Sequence, residues 1–199
     1  NKSFIWLGLA IILVALLTVF IILMGQPYVF KGSVIDQPFR APDINLPASS
    51  GQTYDLANDQ GKIVLIYFGY TTCPDVCPAT LSDLKQLRKQ LGSQADQVQI
   101  LFVTVDPERD TVEKMKNYLS VFDPSFIGLT GSMDQIEPVW KAYGVYRQIQ
   151  QENSAAGYLV DHSSRIYLVD THGNLRLTYP FGVSVSDMEQ DIRYLLRGK

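Results

Sequence analysis

The spacing of apolar positions changes several times along this chain, and each change marks a different kind of element. Residues 4–24 carry no charge, and only Gly8 and Thr18 interrupt their apolar run. At helical rise the run spans roughly 31 Å, enough for a bilayer core. It is longer than the apolar region of a secretory signal, and no small-residue cleavage pattern follows. It therefore predicts an uncleaved transmembrane anchor over residues 1–24. Residues 25–42 bring Gly25, Pro27, Gly32, Pro38 and Pro42, which read as an extended tether. A domain is expected over 43–199.

Within that domain, 43–56 reads as a hairpin turning at Ser49-Ser50-Gly51. Residues 63–68 are almost continuously apolar, as buried parallel strands are. Leu81, Leu84, Leu87 and Leu91 recur at helical spacing, with Pro78 in the first turn. Residues 98–105 form a second buried-type strand, and Asp110 or Thr111 caps a helix to Leu119. A short strand at 126–129 precedes a helix over 133–143, capped by Ser132 and open to a kink at Pro138. Residues 145–150 and 158–160 predict a hairpin around 152–157, and 166–169 with 175–179 a second one around Thr171-His172-Gly173-Asn174. Ser186 is the expected cap of a last helix over 187–196. A β-α-β-α unit followed by a hairpin and a terminal helix is the thioredoxin order. It predicts an α/β sandwich with a mixed central sheet, preceded by one N-terminal transmembrane helix.

Charge narrows the function. The 199 residues hold 20 acidic and 17 basic side chains. Only Lys2 precedes the apolar span, so the domain carries a net charge of about −4. No Lys/Arg tract or aromatic-basic interleaving is present, which argues against nucleic-acid binding. Lys31 and Arg40 follow the span, so flanking charge gives little topology signal. No phosphate-binding glycine loop and no Gly-x-Ser-x-Gly element occurs.

The candidate chemistry lies elsewhere. Cys73 and Cys77 are the chain's two cysteines, too few for a disulfide scaffold. They stand four apart where the 63–68 strand gives way to a helix. A helix N-terminus favours thiolate, the form that attacks disulfides and binds metals. Placed on one starting helix turn, the two thiols would point to one side, within range of a disulfide or of one soft metal ion. His162, in Val160-Asp161-His162-Ser163-Ser164, precedes a strand whose entry loop could lie beside that turn. Two thiolates and an imidazole suit copper, whereas structural zinc takes four protein ligands. Asp106, in Val105-Asp106-Pro107-Glu108-Arg109-Asp110, is a candidate carboxylate to orient a histidine. Asp110 is assigned to the helix cap. His172 reads as an exposed turn residue.

Three blocks, Tyr67-Phe68-Gly69-Tyr70 with Cys73-Pro74-Asp75-Val76-Cys77-Pro78, Val103 through Asp110, and Val160 through Ser164, occur in one order. On these the chain resembles the Sco/SenC family of membrane-anchored copper proteins. The resemblance implies that Cys73, Cys77 and His162 bind copper, as Cu(I) or Cu(II). It implies delivery of copper, or thiol reduction, at the binuclear copper site of a cytochrome c oxidase subunit. It implies a domain in the periplasm or intermembrane space, held to the membrane by residues 4–24. On that reading the protein is a metallochaperone, with thiol-disulfide reductase activity left open. A thiol-disulfide oxidoreductase using Cys73 and Cys77, or a standing subunit of a respiratory membrane complex, remain alternatives. Thr72 stands where many relatives have His, and Thr171-His172 where many have Pro-Asp.

Overall fold

A computed structural model describes residues 2–25, 27–154 and 157–198. Two compact units are present, Asn1–Phe30 and Lys31–Lys199. The first is helix α1 (Lys2–Met24) and the segment after it. Its window Ser3–Phe20 has a mean hydropathy of 2.6, and it is the one helix among the described residues long and apolar enough to cross a membrane.

The second unit begins earlier than the sequence pattern implies. Strand β1 (Ser33–Arg40) falls inside the expected tether, yet it pairs antiparallel with a late strand of the main sheet. Its pairing is irregular between Val34 and Phe39, and Pro38 lacks the N–H a central strand needs, so β1 sits at the sheet edge. The entry point is pinned by Asp191, whose buried carboxylate accepts from the backbone N–H groups of Lys31 and Gly32. The tether is therefore shorter than residues 25–42, and within it Gln26 lies outside the described residues.

Strands β2 (Asn45–Pro47) and β3 (Thr53–Asp55) form the expected hairpin. Then come β4 (Ile63–Gly69), helix α2 (Val76–Leu91), β5 (Val98–Thr104), α3 (Val112–Ser120), β6 (Ile127–Leu129) and α4 (Met133–Ala142). The chain continues through β7 (Arg147–Ser154), β8 (Gly157–His162), β9 (Arg165–Val169), β10 (Asn174–Pro180) and α5 (Val185–Leu196). The main sheet runs β1-β10-β9-β4-β5-β6. β4, β5 and β6 are parallel, joined through α2 and α3, while β9 meets β4 antiparallel. This is the mixed sheet of the thioredoxin-like expectation. Every residue of β4 is buried, which is why its sequence lacks the alternation of a half-solvated strand.

Helix α2 lays Cys77, Leu81, Leu84, Leu87 and Leu91 into the core, each leucine worth about 2 kcal/mol of burial. Arg193 of α5 donates to the Gln90 carbonyl and fixes the two helices side by side. One expected cap moves, and one is settled between two candidates. The last helix is capped by Ser184, whose hydroxyl accepts from the Asp187 N–H, not by Ser186. Thr111 caps α3, and Asp110 is released for another task.

β7 and β8 form a two-stranded sheet of their own, outside the main ladder. Of their expected turn, Ala155 and Ala156 lie outside the described residues.

Candidate metal centre

β4 ends at Gly69, where a side chain does not fit. An added Cβ would come 2.8 Å from the Phe102 ring and 2.9 Å from the Cys77 sulfur. The space it leaves seats that sulfur against the end of the strand. Cys77 is fully buried in the first turn of α2, and the Tyr67 hydroxyl donates to its Sγ at 3.5 Å.

Cys73 is not on the helix. The helix starts at Val76, so Cys73 occupies the turn before it, its N–H bonded to the Tyr70 carbonyl at 3.2 Å. The expectation of two thiols stacked on one helix turn is corrected here: one is helical, the other a half-buried loop residue. The loop is held by Asp110. Its carboxylate accepts from the Thr71 N–H at 3.1 Å, the Thr71 hydroxyl at 2.5 Å and the Thr104 hydroxyl at 2.7 Å. Asp110 is fully buried, so these bonds form where water does not compete. Beside them, the Thr72 hydroxyl is shielded from solvent and has no hydrogen-bond partner among the described residues.

The two thiols divide their roles. A hydrogen bond from Cys77 holds the Cys73 thiol down at about 4, against the opposing effect of burial, with help from His162 and from backbone N–H groups at Cys77 and Asp75. The same bond keeps the proton on Cys77, whose pKa burial pushes further up. The reduced pair is thus one thiolate accepting from one thiol. Burial also raises the Tyr70 hydroxyl, to about 12.

His162 ends β8, and its Nε2 lies 3.9 Å from the Cys77 sulfur. Its Nδ1 is 3.1 Å from the Ser163 carbonyl, which can only accept. In that contact Nδ1 donates, and Nε2 is the ring nitrogen turned toward the sulfur. Edge-on rings of Tyr70 and Tyr67 flank the imidazole at 5.9 and 6.5 Å. A cleft of about 220 Å³ opens over the group, lined by Tyr70, Cys73, Pro74, Val76, Leu159 and His162.

Among the described residues no group of three or more His, Cys, Asp and Glu side chains already closes around a point. The three donors form an open set. The Cys77–His162 distance of 3.9 Å fits one soft metal between them: bonds of roughly 2.3 Å to sulfur and 2.0 Å to nitrogen, at a wide angle, put the two atoms nearly 4 Å apart.

Asp106 does not touch His162. It is fully buried, accepts from the Tyr158 hydroxyl at 2.7 Å, and pairs with Arg109. His172 is exposed in the β9–β10 turn, as expected. Sequence reasoning gave neither Tyr67 nor Tyr158 a task of its own at the site, and gave Asp110 only a helix cap. Tyr67 carried a signal, since it shares a face of β4 with Gly69 by strand alternation.

The SCO1/SenC family model matches residues 34–197. The chain is 40% identical over 153 residues to the mitochondrial SCO2 homologue of Bos taurus, covering 76% of this chain and 58% of that protein. It is 34% identical over 168 residues to an SCO2-like protein of Rickettsia prowazekii, covering 83% and 80%. Its fold matches copper-bound ScoI of Bradyrhizobium japonicum with a TM-score of 0.73 at 35% identity, covering 79% of this chain and all of that one. With most of its length inside that family model, the chain belongs to the SCO1/SenC family.

Proposed function

We propose that this chain is a membrane-anchored copper metallochaperone. It holds one copper ion between Cys73, Cys77 and His162 and passes it to the binuclear copper site of a cytochrome c oxidase subunit. One observation carries the reading: the His162 imidazole, 85 residues beyond Cys77, lies 3.9 Å from that buried sulfur and shares an open cleft with Cys73. Soft thiolates select copper, and a three-donor set lacks the fourth protein ligand of structural zinc. Helix α1 anchors the protein, and the domain works on the extracytoplasmic side, the periplasm or intermembrane space. The copper-bound relative from Bradyrhizobium supports the cargo.

The unequal thiols give a path for exchange. Cys73 is half-buried and already a thiolate, so it captures copper first; Cys77, buried and protonated, gives up its proton as the ion seats. An incoming acceptor thiolate meets the site from the cleft, on the Cys73 side.

A second reading rests on the same thiolate. Cys73 would attack an acceptor disulfide to form a mixed disulfide, and Cys77, on losing its proton, would resolve it. Two electrons leave this chain, a Cys73–Cys77 disulfide forms, and the acceptor gains two thiols.

One experiment separates them. The full chain in detergent is reduced anaerobically, loaded with Cu(I) and mixed with a reduced apo acceptor domain; a parallel sample meets the oxidised acceptor without copper. Copper and free thiols are counted on both proteins. The metallochaperone reading predicts copper transfer with unchanged thiols. Loss of two thiols here and gain of two on the acceptor, without copper transfer in the first sample, would replace it with the reductase.

A further inference from the structure

The His162 strand is not hydrogen-bonded into the main sheet. A small number of contacts must therefore fix where the imidazole stands relative to the sulfurs. Two lie beside it: the Val160 N–H donates to the Tyr70 hydroxyl at 3.3 Å, and the Ser163 and Tyr146 backbones and hydroxyl exchange bonds of 3.0 and 3.2 Å. Arg147 on β7 donates to the Val105 carbonyl at 2.6 Å.

The densest attachment is further away, at Tyr158. Its ring lies under the Arg109 guanidinium, 3.7 Å from the ring centroid. Its carbonyl accepts from Arg109 Nη1 at 2.9 Å, and its hydroxyl donates to Asp106 at 2.7 Å. Asp106 also pairs with Arg109 and is fully buried, fixed by its backbone bond to the Thr104 hydroxyl at 2.8 Å. Thr104 in turn donates to Asp110, which holds the cysteine loop. One polar chain thus joins the two halves of the site. Tyr158 and His162 are four residues apart on one strand, so their side chains share a face, roughly 13 Å apart along it.

We propose that Tyr158, seated on Asp106 and Arg109, is a positioning residue for His162: it holds β8 against the domain so that the imidazole stays over the sulfurs. The idea rests on the copper reading for its purpose but not for its mechanism. Asp106 acts on the histidine through Tyr158, some distance from where a direct hydrogen bond would have placed it. Without the Tyr158 hydroxyl, β8 keeps its pairing with β7 but the strand pair tilts away more often. The docked-to-undocked ratio drops roughly tenfold, the worth of one hydrogen bond to a charged acceptor.

The test uses the full chain, reduced and metal-free, with His162 ring protons followed by NMR in wild type, Tyr158→Phe and Asp106→Asn. Tyr158→Phe keeps the ring under Arg109 and serves if Asp106→Asn does not fold. The expected result is weakened His162–Tyr70 ring contacts and microsecond-to-millisecond exchange broadening at His162, with Tyr67–Phe102 contacts unchanged. His162–Tyr70 contacts as strong as in wild type, without broadening, would overturn the proposal. A copper arm, with Cu(II) added, follows nitrogen coupling from the imidazole. Loss of that coupling in Tyr158→Phe, at one copper per chain, adds support; full coupling argues against. If His162→Ala matches wild type in copper spectrum and stoichiometry, the copper role of His162 falls, while the metal-free NMR result still decides the latch.

Discussion

The cysteine turn and the histidine hairpin supply the two halves of the proposed copper site, and they are built to different standards. The turn sits on the most buried strand of the sheet. Gly69 lets the Cys77 sulfur touch that strand, Tyr67 donates to it, and the Asp110 carboxylate takes three hydrogen bonds from Thr71 and Thr104. The hairpin is a separate two-stranded sheet whose hold on the domain is a handful of polar and ring contacts. A permanent metal site would anchor every ligand equally. A cargo site gains from a fixed pair of sulfurs and one donor able to leave, because a ligand that dissociates first opens the ion to its acceptor.

The largest effect that this contrast predicts is at the rigid half. Cys77→Ala should lower Cu(I) retention against a competing chelator by at least about a hundredfold, equivalent to about 2.7 kcal/mol. Retention within a few-fold of wild type would show that the buried sulfur is packing only. Asp110→Ala should come next, destabilising the domain by about 3 kcal/mol in denaturant melts, because Thr104 and the Thr71 N–H lose a buried charged partner. A loss of under about 1 kcal/mol would mean that the loop holds itself.

At the hairpin half, His162→Ala should leave the two sulfurs binding Cu(I) but weaken retention by roughly tenfold, or about 1.4 kcal/mol. An effect as large as that of Cys77→Ala would erase the asymmetry. A fourth prediction concerns pH. The Cys73 thiol is lowered, so its reactive anion persists until the pH falls to about 4. Alkylation of one thiol should therefore stay fast far below the ordinary cysteine range near 8.5 and fall only in acid, while the second thiol reacts slowly throughout. Copper loading near neutral pH should release roughly one proton per ion, from Cys77 alone. Two fast thiols with a common midpoint near 8.5, or two protons released, would contradict the thiolate–thiol pair. The smallest effect is at Thr72, whose buried hydroxyl has no hydrogen-bond partner among the described residues. Thr72→Val should raise stability by about 1 kcal/mol or less, read as a slightly higher Tm.

The same contrast explains what the sequence made legible. Local rules located the rigid half: a continuous apolar run for β4, helical leucines for α2, and two cysteines between them. Local rules also erred by two residues at Ser186, where Ser184 offered the same capping chemistry. β1 was hidden because nothing within residues 33–40 reveals pairing with residues 174–178; its proline and exposed positions read equally well as a tether. Asp106 and Asp110 were singled out together, but their duties depend on contacts across the fold. Asp110 reaches Thr71, 39 residues back, and Asp106 receives Tyr158, 52 residues on. The distance from His162 to Cys77 is likewise a property of the fold, which the resemblance to a family anticipated and periodicity did not.

Copper titration of the anaerobically reduced full chain, wild type against His162→Ala, decides whether the imidazole belongs to the metal. Wild type should take one copper per chain, with a Cu(II) spectrum carrying both thiolate charge transfer and imidazole nitrogen coupling, and the variant should lose that nitrogen coupling. Identical stoichiometry and identical spectra in the two proteins would remove His162 from the metal and leave a dithiol without its third donor.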